Sequence, residues 1–288
     1  MDAGDFRASL DALIEGGRQL PTLPVLVLQV QRALANDRSG PRDIAHLIER
    51  DPVLAARVLR LANSAAFSRG DPITTIGAAV GRLGMNHVRS LCLAVGVVRA
   101  FGNSYRRLDH QRYWQHSVAV GMVAERLTHM SKRYAQVDGE EAYVAGLLHD
   151  VGLLVCDQFF PAEFAAIEEE TDRESIGRWR VETTRLGLDH GDIGGQVLSR
   201  WQLPAGVMEA VAAHHHPEGS SEKTEALTYM VWGAEALCSS SGLELPQEGI
   251  AEVAPTEVMV RLDIPSHLQE QFLADVGGIG ERAREMAA

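Results

Sequence analysis

Residues 142–150 read Ala-Tyr-Val-Ala-Gly-Leu-Leu-His-Asp, so two titratable side chains directly follow a run that carries no charge. The apolar run predicts a buried helix, which we place over Asp138–Leu148. Burying an imidazole and a carboxylate without partners costs several kcal/mol. His149 and Asp150 therefore predict that other polar side chains meet them inside a helical domain.

Apolar residues at i, i+3, i+4 and i+7 recur along nearly the whole chain, while period-two alternation is scarce. The pattern predicts an all-α fold. The small, polar stretch Gly102-Asn103-Ser104 predicts a joint between two helical subdomains, residues 1–104 and residues 105–288. Residues 240–288 fit a lid, a dimer arm or part of the core equally well.

Three local predictions concern the second subdomain. The pattern predicts one continuous helix over Cys156–Glu170 and a short flexible loop at Ser239-Ser240-Ser241-Gly242. It also predicts a closing helix over Pro265–Ala288, interrupted at Gly277-Gly278.

Composition narrows the classes of protein that are possible. The 288 residues are 45% hydrophobic and include 27 basic against 39 acidic side chains, a net charge of −12. This composition excludes a largely disordered chain and a small disulfide-stabilised domain. The negative charge also disfavours sequence-independent binding of nucleic acid. The basic stretch Arg99–Arg107 is interpreted as a solvated linker. Cys92, Cys156 and Cys238 are interpreted as reduced thiols. With neither a signal peptide nor a membrane helix visible, we expect a cytoplasmic protein.

Histidines are concentrated in the second subdomain, where five of them and one aspartate stand in apolar surroundings near predicted helix ends. These are His116, His149, Asp150, His190, His214 and His215. Imidazoles with a carboxylate are ligands of Zn, Mn, Fe or Ni, and a shared carboxylate can bridge two ions. A satisfied polar core is the alternative for any one of these residues. The histidines outside the cluster are predicted to lie at the surface: His46, His87, His110, His129 and His267.

Several motifs in this order resemble the HDOD domain, an all-helical branch of the HD metal-dependent phosphohydrolase superfamily. The motifs are Leu20-Pro21-Thr22-Leu23-Pro24, Asp51-Pro52-Val53-Leu54, Leu59–Ser64, Ile76–Gly84, Trp114–Ser117, Ala145–Gly152, Asp189-His190, Arg200–Pro204 and Ala213–Pro217. The resemblance implies an N-terminal helical bundle followed by an HD-like helical domain. It also implies a regulatory role in bacterial signal transduction.

The resemblance implies metal-ligand roles for His116, His149, Asp150, His190, His214 and His215, holding one or two divalent ions. The superfamily's last aspartate falls where this chain has Glu235, which is one methylene longer. Hydrolases of the superfamily often carry a lysine where this chain has Leu153. The Gly-Tyr-Pro signature of cyclic-di-GMP phosphodiesterases is absent.

These departures leave three hypotheses. The first is a non-catalytic regulatory module that acts through contacts with a signalling protein in trans, with a nucleotide as a further ligand and no contact with nucleic acid or membrane. The second is a metal-dependent phosphohydrolase acting on a cyclic dinucleotide or another nucleotide phosphoester, with Asp150 as its catalytic residue. The third is a hydrogen-bonded polar core without metal.

Overall fold

The computed structural model describes residues 2–16, 20, 25–34, 36, 39–63, 71–101, 107–243, 245 and 253–287. Across these ranges the chain forms sixteen α-helices and one short 3-10 helix, with no strand. The protein is therefore all-α, as its apolar spacing predicts. Residues 102–106, where the sequence predicts the joint between two subdomains, lie outside the described ranges. The division into two subdomains stays a prediction.

Six helices precede the joint. They are α1 (Ala3–Gly16), α2 (Val25–Leu34), α3 (Pro41–Ile48), α4 (Pro52–Asn63), α5 (Ile76–Leu83) and α6 (Met85–Ala100). Helices α2 to α6 pack mainly against one another, and α6 also contacts α8 of the following region. Helix α1 instead contacts α11 and α12, and its Phe6 packs against Phe160, the residue between α9 and α10, with ring centroids 4.7 Å apart.

Ten helices follow the joint. They are α7 (His110–Thr128), α8 (Gly139–Leu148), α9 (Val151–Phe159), α10 (Pro161–Glu174), α11 (Arg178–Leu186), α12 (His190–Arg200), α13 (Ala205–Ala212), α14 (Glu225–Ser240), α15 (Pro255–Arg261) and α16 (Ser266–Ala287). Helix α7 lies at the centre and contacts α8, α14 and α16. Helix α12 packs between α9 and α13.

Two sequence-based predictions about these helices are wrong. Helix α9 ends at Phe159 and α10 begins at Pro161, so the predicted helix Cys156–Glu170 is two helices. Proline has no N–H to donate, which suits it to the first position of a new helix. Helix α16 runs through Gly277-Gly278 without a break. Its packing along α7 offsets the roughly 1 kcal/mol that each glycine costs a helix.

Close helix crossings bring the ends of the central helices together. A Cβ added at Gly146 of α8 would lie 2.9 Å from Cα of Gly121 in α7. A Cβ added at Gly152 of α9 would overlap the carbonyl oxygen of His190 at the start of α12. Only glycine permits this approach, so these positions bring the polar ends of α8, α9 and α12 within reach of each other.

No single helix among the described residues is both long and apolar enough to cross a bilayer. The segments Gly139–Phe159 and Pro161–Glu174 reach the required length and composition only together, and they are bent by 117°.

Candidate metal centre

The seven side chains that the sequence predicts as metal ligands converge in the interior of the second region. They come from α7 (His116), the junction of α8 and α9 (His149 and Asp150), the first residue of α12 (His190), the turn after α13 (His214 and His215) and α14 (Glu235). Only α8 and α9 are joined by as few as two residues, and every other pair of these helices is further apart in the sequence. The cluster is therefore a product of tertiary packing.

One group of ligand atoms surrounds His149. Its Nε2 atom lies 2.7 Å from Oε2 of Glu235, 3.2 Å from Nε2 of His116 and 3.3 Å from Oδ2 of Asp150. His149, Asp150, His214 and Glu235 each offer a ligand atom, and these four atoms lie within 4.8 Å of one another. This first group has the mixed imidazole and carboxylate chemistry of Zn, Mn and Fe sites.

A second group surrounds His190. Its Nε2 atom lies 2.9 Å from Nε2 of His215 and 3.2 Å from Oδ1 of Asp150. His190, His214 and His215 likewise offer three nitrogen atoms within 4.8 Å of one another. Asp150 turns one oxygen toward each group, and His214 belongs to both. Two metal positions that share the carboxylate of Asp150 fit this arrangement, with Nε2 of His214 available to one of them.

Backbone carbonyls set the orientation of three imidazole rings. The hydrogen bonds run from Nδ1 of His149 to the carbonyl of Gly146, from Nδ1 of His214 to that of Val211, and from Nδ1 of His116 to that of Leu243, each 2.7 Å long. A carbonyl oxygen can only accept, so Nδ1 carries a proton in each ring. The Nε2 atoms therefore face the centre of the cluster, as they do in metal-ligating histidines.

A buried carboxylate that sequence reasoning missed orients the ring of His190. Glu182 of α11 accepts hydrogen bonds from both Nδ1 and the backbone N–H of His190, at 2.6 and 2.8 Å. Arg178, one turn earlier, donates from Nε to the other oxygen of Glu182 at 2.9 Å. The i, i+4 spacing of an arginine and a glutamate is the only sequence signal, and it is equally typical of exposed helix faces.

Several polar atoms of the centre are buried without a hydrogen bond of good geometry. Side chains of His149, Asp150 and His214 are fully buried, whereas Glu235 retains 16% of its side-chain exposure. Both oxygens of Asp150, Nε2 of His214 and Oε2 of Glu235 accept no such hydrogen bond among the described residues, although imidazole nitrogens lie 2.7 to 3.3 Å from the carboxylate oxygens. Buried polar atoms are nearly always satisfied, so this set of acceptor atoms fits a ligand that the protein itself does not supply. A divalent metal ion fits it.

Protonation states agree with that fit. Burial would lower the pKa of His149 and of His190, but the surrounding carboxylates raise both well above the ordinary value. Burial would raise the pKa of Glu235, yet His149 lowers it to about 2. Burial and the neighbouring cationic rings lower the pKa of His214 to about 4. A divalent ion bound at the centre would take the place of protons on these imidazoles, because ligating imidazoles must be neutral.

Three of the five histidines outside the cluster follow the prediction. The side chain of His46 is 79% exposed, and His129 and His267 are exposed. His87 and His110 are instead half-buried. Only 16% of the His87 side chain is exposed, and its Nε2 lies 3.0 Å from Oε1 of Glu125. The pair connects α6 to α7, which a surface assignment from sequence could not anticipate.

Comparison with known proteins identifies the family. A sequence model of the HDOD domain matches residues 20–217, more than half of the chain. This chain belongs to the HDOD domain family. The resemblance stated from the motifs is thereby confirmed, and Glu235, Leu243 and α16 lie beyond the matched range.

Solved HDOD structures share the architecture over the whole chain. An HDOD domain protein with unknown function from Geobacter sulfurreducens is 26% identical, with a TM-score of 0.78 and coverage of 99% of this chain and 98% of that one. A "Putative phosphohydrolase" from Shewanella amazonensis SB2B is 25% identical, with a TM-score of 0.78 and coverage of 98% of both chains. An uncharacterized protein of Treponema pallidum (strain Nichols) is 27% identical over 231 residues. Those residues are 80% of this HDOD chain but 44% of the relative, so the chain spans less than half of its length.

Proposed function

We propose that this HDOD chain is a regulatory module built around a closed, HD-type metal centre, and that it does not turn over a substrate. The observation that carries the proposal is the burial of the ligand atoms. Relative exposure is 0% for His149 and Asp150, 1% for His214 and 2% for His116 and His190. Structural metal sites are closed in this way, whereas catalytic sites keep an open position for water or substrate.

The residues beside the centre support the same function. Leu153 is buried one turn after His149, at the position where superfamily hydrolases often have a lysine. A lysine there could stabilise the charge on a phosphoryl group, and leucine cannot. The metal would be held by the first group around His149, by the second around His190, or by both. When bound, it would supply a rigid cross-link between helices that are distant in sequence.

The partner that we propose is a signalling protein that binds in trans, with a nucleotide as a secondary ligand. Membership of the HDOD family supports a signalling role. The chain would present to this partner a surface whose conformation depends on whether the metal is bound.

A phosphohydrolase is the second candidate, and one observation favours it. The two oxygens of Asp150 face one group of ligand atoms each, and a carboxylate between two metal positions suits the two-metal hydrolysis of phosphoesters. His215 and Glu235 are only partly buried, so the centre is least enclosed on their side. The substrate in this case would be a cyclic dinucleotide or another nucleotide phosphoester.

One experiment separates these functions. The protein is purified without chelator or metal-affinity tag, its metal content is measured, and hydrolysis of a cyclic dinucleotide and of a model phosphodiester is assayed with Mn, Fe, Zn and Ni. We expect one or two equivalents of metal in the unmodified chain and in a control, His267→Ala, but none in Asp150→Ala. We expect no turnover in any of them.

Turnover that disappears in Asp150→Ala would establish the hydrolase and overturn the regulatory proposal. A chain that binds no metal even after loading, and whose histidine variants lose only stability, would point to the polar core without metal.

A further inference from the structure

The end of helix α14 places one carbonyl oxygen against the metal centre. Gly242 follows α14 with a φ of 72°, and the N–H of Leu243 bonds to the carbonyl of Cys238 at 3.0 Å. The N–H of Gly242 bonds to the carbonyl of Ser239 at 3.2 Å. This pair of bonds is a Schellman motif, in which glycine supplies the left-handed residue. The predicted flexible loop at residues 239–242 is therefore an ordered helix end.

The oriented carbonyl of Leu243 accepts the hydrogen bond from Nδ1 of His116. Among the described residues this is the bond that holds the proton on Nδ1 and turns Nε2 toward His149 and Asp150. The bond joins positions 127 residues apart, so it exists only while the segment after α14 stays in place.

Helix α16 holds that segment in place. A Cβ added at Gly280 would collide with both methyl groups of Leu243 and lie 3.1 Å from its Cγ atom. Helix α16 also packs along α7, which carries His116, and it contacts α4 of the first region. The helix thus contacts both the helix that carries the hydrogen-bond donor and the residue that accepts the bond.

We infer that α16 is a clamp that orients His116 through Leu243, so that the position of the C-terminal helix controls how strongly the centre holds metal. The geometric part of this inference stands without the proposed metal centre, and the effect on metal affinity rests on it. In this scheme His116 is an additional ligand beside the first group, with its Nε2 3.2 Å from Nε2 of His149 and 3.5 Å from Oδ2 of Asp150, while Leu243 and Gly280 are positioning residues. A protein partner that displaces α16 would loosen His116 without touching the centre.

The chain offers a matched pair of variants for a test. Gly280→Ala and Gly277→Ala make the same change in the same helix, but a Cβ at Gly277 meets nothing within 4 Å. Both variants gain helix propensity equally, so a difference between them reports the contact with Leu243. Circular dichroism and thermal melting verify that each variant folds.

Two measurements are made on each variant. Long-range 1H–15N spectra of histidine-labelled protein without metal report which nitrogen of each ring carries the proton, and His116→Gln assigns the signals of His116. Competition with a chromophoric chelator gives the dissociation constant for Zn²⁺. For Gly280→Ala we expect the Nδ1 and Nε2 signals of His116 to move toward each other and Zn²⁺ to bind about 10-fold more weakly. For Gly277→Ala we expect neither change.

The outcomes distinguish the clamp from the metal centre. Spectra and Zn²⁺ affinities that are the same in both glycine variants would overturn the clamp. Changed His116 signals in a chain that never binds Zn²⁺ would support the clamp and overturn the metal centre. If Gly280→Ala does not fold, Leu243→Ala replaces it, because it removes the contact with α16 and keeps the carbonyl. Unchanged His116 signals in Leu243→Ala would overturn the clamp as well.

Discussion

The region α2–α6 and the region α7–α14 are built from similar helices but have different interiors. Among the described residues, every buried polar or charged side chain lies between His116 and Thr228. The described interior of α2–α6 is apolar, with residues such as Ile44, Leu61 and Phe101. Helical periodicity is the same in both regions, so the pattern alone does not distinguish them.

This difference indicates where the chemistry of the molecule lies. An apolar interior stabilises a fold through burial alone, at about 25 cal/mol per Å² of apolar surface. Buried ionisable groups cost free energy unless each is paired, and even a well-paired set contributes little net stability. The cluster of Asp150 with its histidines therefore fits the proposed role in metal binding better than a role in stability, and the α2–α6 region is available as scaffold or contact surface.

The largest predicted effect tests the helix crossing that assembles the centre. Gly152→Ala places a Cβ against the carbonyl of His190, whereas Gly81→Ala in α5 meets nothing within 4 Å. We expect Gly152→Ala to lower the free energy of unfolding by about 3 kcal/mol or more. We expect Gly81→Ala to raise it by up to about 1 kcal/mol. Urea denaturation measures both, and equal effects would contradict the role given to the crossing.

Removing metal should affect the two regions unequally. When the free concentration of the metal ion is about 100 times its dissociation constant, binding stabilises the folded chain by roughly 2.7 kcal/mol. We expect chelation to increase amide hydrogen exchange in α8, α9, α12 and α14 far more than in α2–α6. Mass spectrometry of peptides from each region measures this. A uniform increase would show that the centre has no local structural role.

Glu182 should matter for metal affinity more than for the fold around it. Glu182→Gln keeps the shape of the side chain but weakens the hold on Nδ1 of His190. We expect the affinity for Zn²⁺ to fall about 10- to 100-fold, as is typical when a residue that orients a metal ligand is lost. The control is Glu174→Gln, which removes only an exposed pair with Arg173. An unchanged affinity in Glu182→Gln would place His190 outside the ligand set.

The smallest predicted effect concerns the link between the two regions. Burial would lower the pKa of His87, but Glu125, with Glu140 nearby, raises it above its ordinary value. A raised pKa in the folded state means that the pair stabilises the protein fully below about pH 6.5 and that this stability is lost as pH rises through the folded pKa. We expect the free energy of unfolding of the unmodified chain to exceed that of Glu125→Gln by about 1 kcal/mol or less at pH 6 and to equal it at pH 9. Urea denaturation at the two pH values measures the difference, and a gain that persists at pH 9 would contradict this assignment of charge.

The sequence predicted helix ends well where a side chain caps its own helix. Asp138, where the predicted helix begins, accepts the backbone N–H groups of Glu140 and Glu141, an effect confined to one turn. One error arose where packing overrode a local signal, in the run through Gly277-Gly278, and the other where Pro161, itself a local signal, begins a new helix. Gly242 shows the opposite case. In the sequence this glycine indicates a flexible loop, but in the fold it ends α14 in an ordered turn that fixes the backbone of Leu243.

The sequence by itself determined the helical class, the family and the kinds of ligand atom, because these depend on residue identity and on spacing within a few turns. Only the tertiary structure decided that His116 faces Leu243, that Glu182 orients His190 and that Asp150 divides its oxygens between two groups. Those contacts join residues on different helices, and their geometry depends on how closely the helices cross. The sequence within a helix does not specify how closely two helices cross, apart from the glycines that permit a close approach.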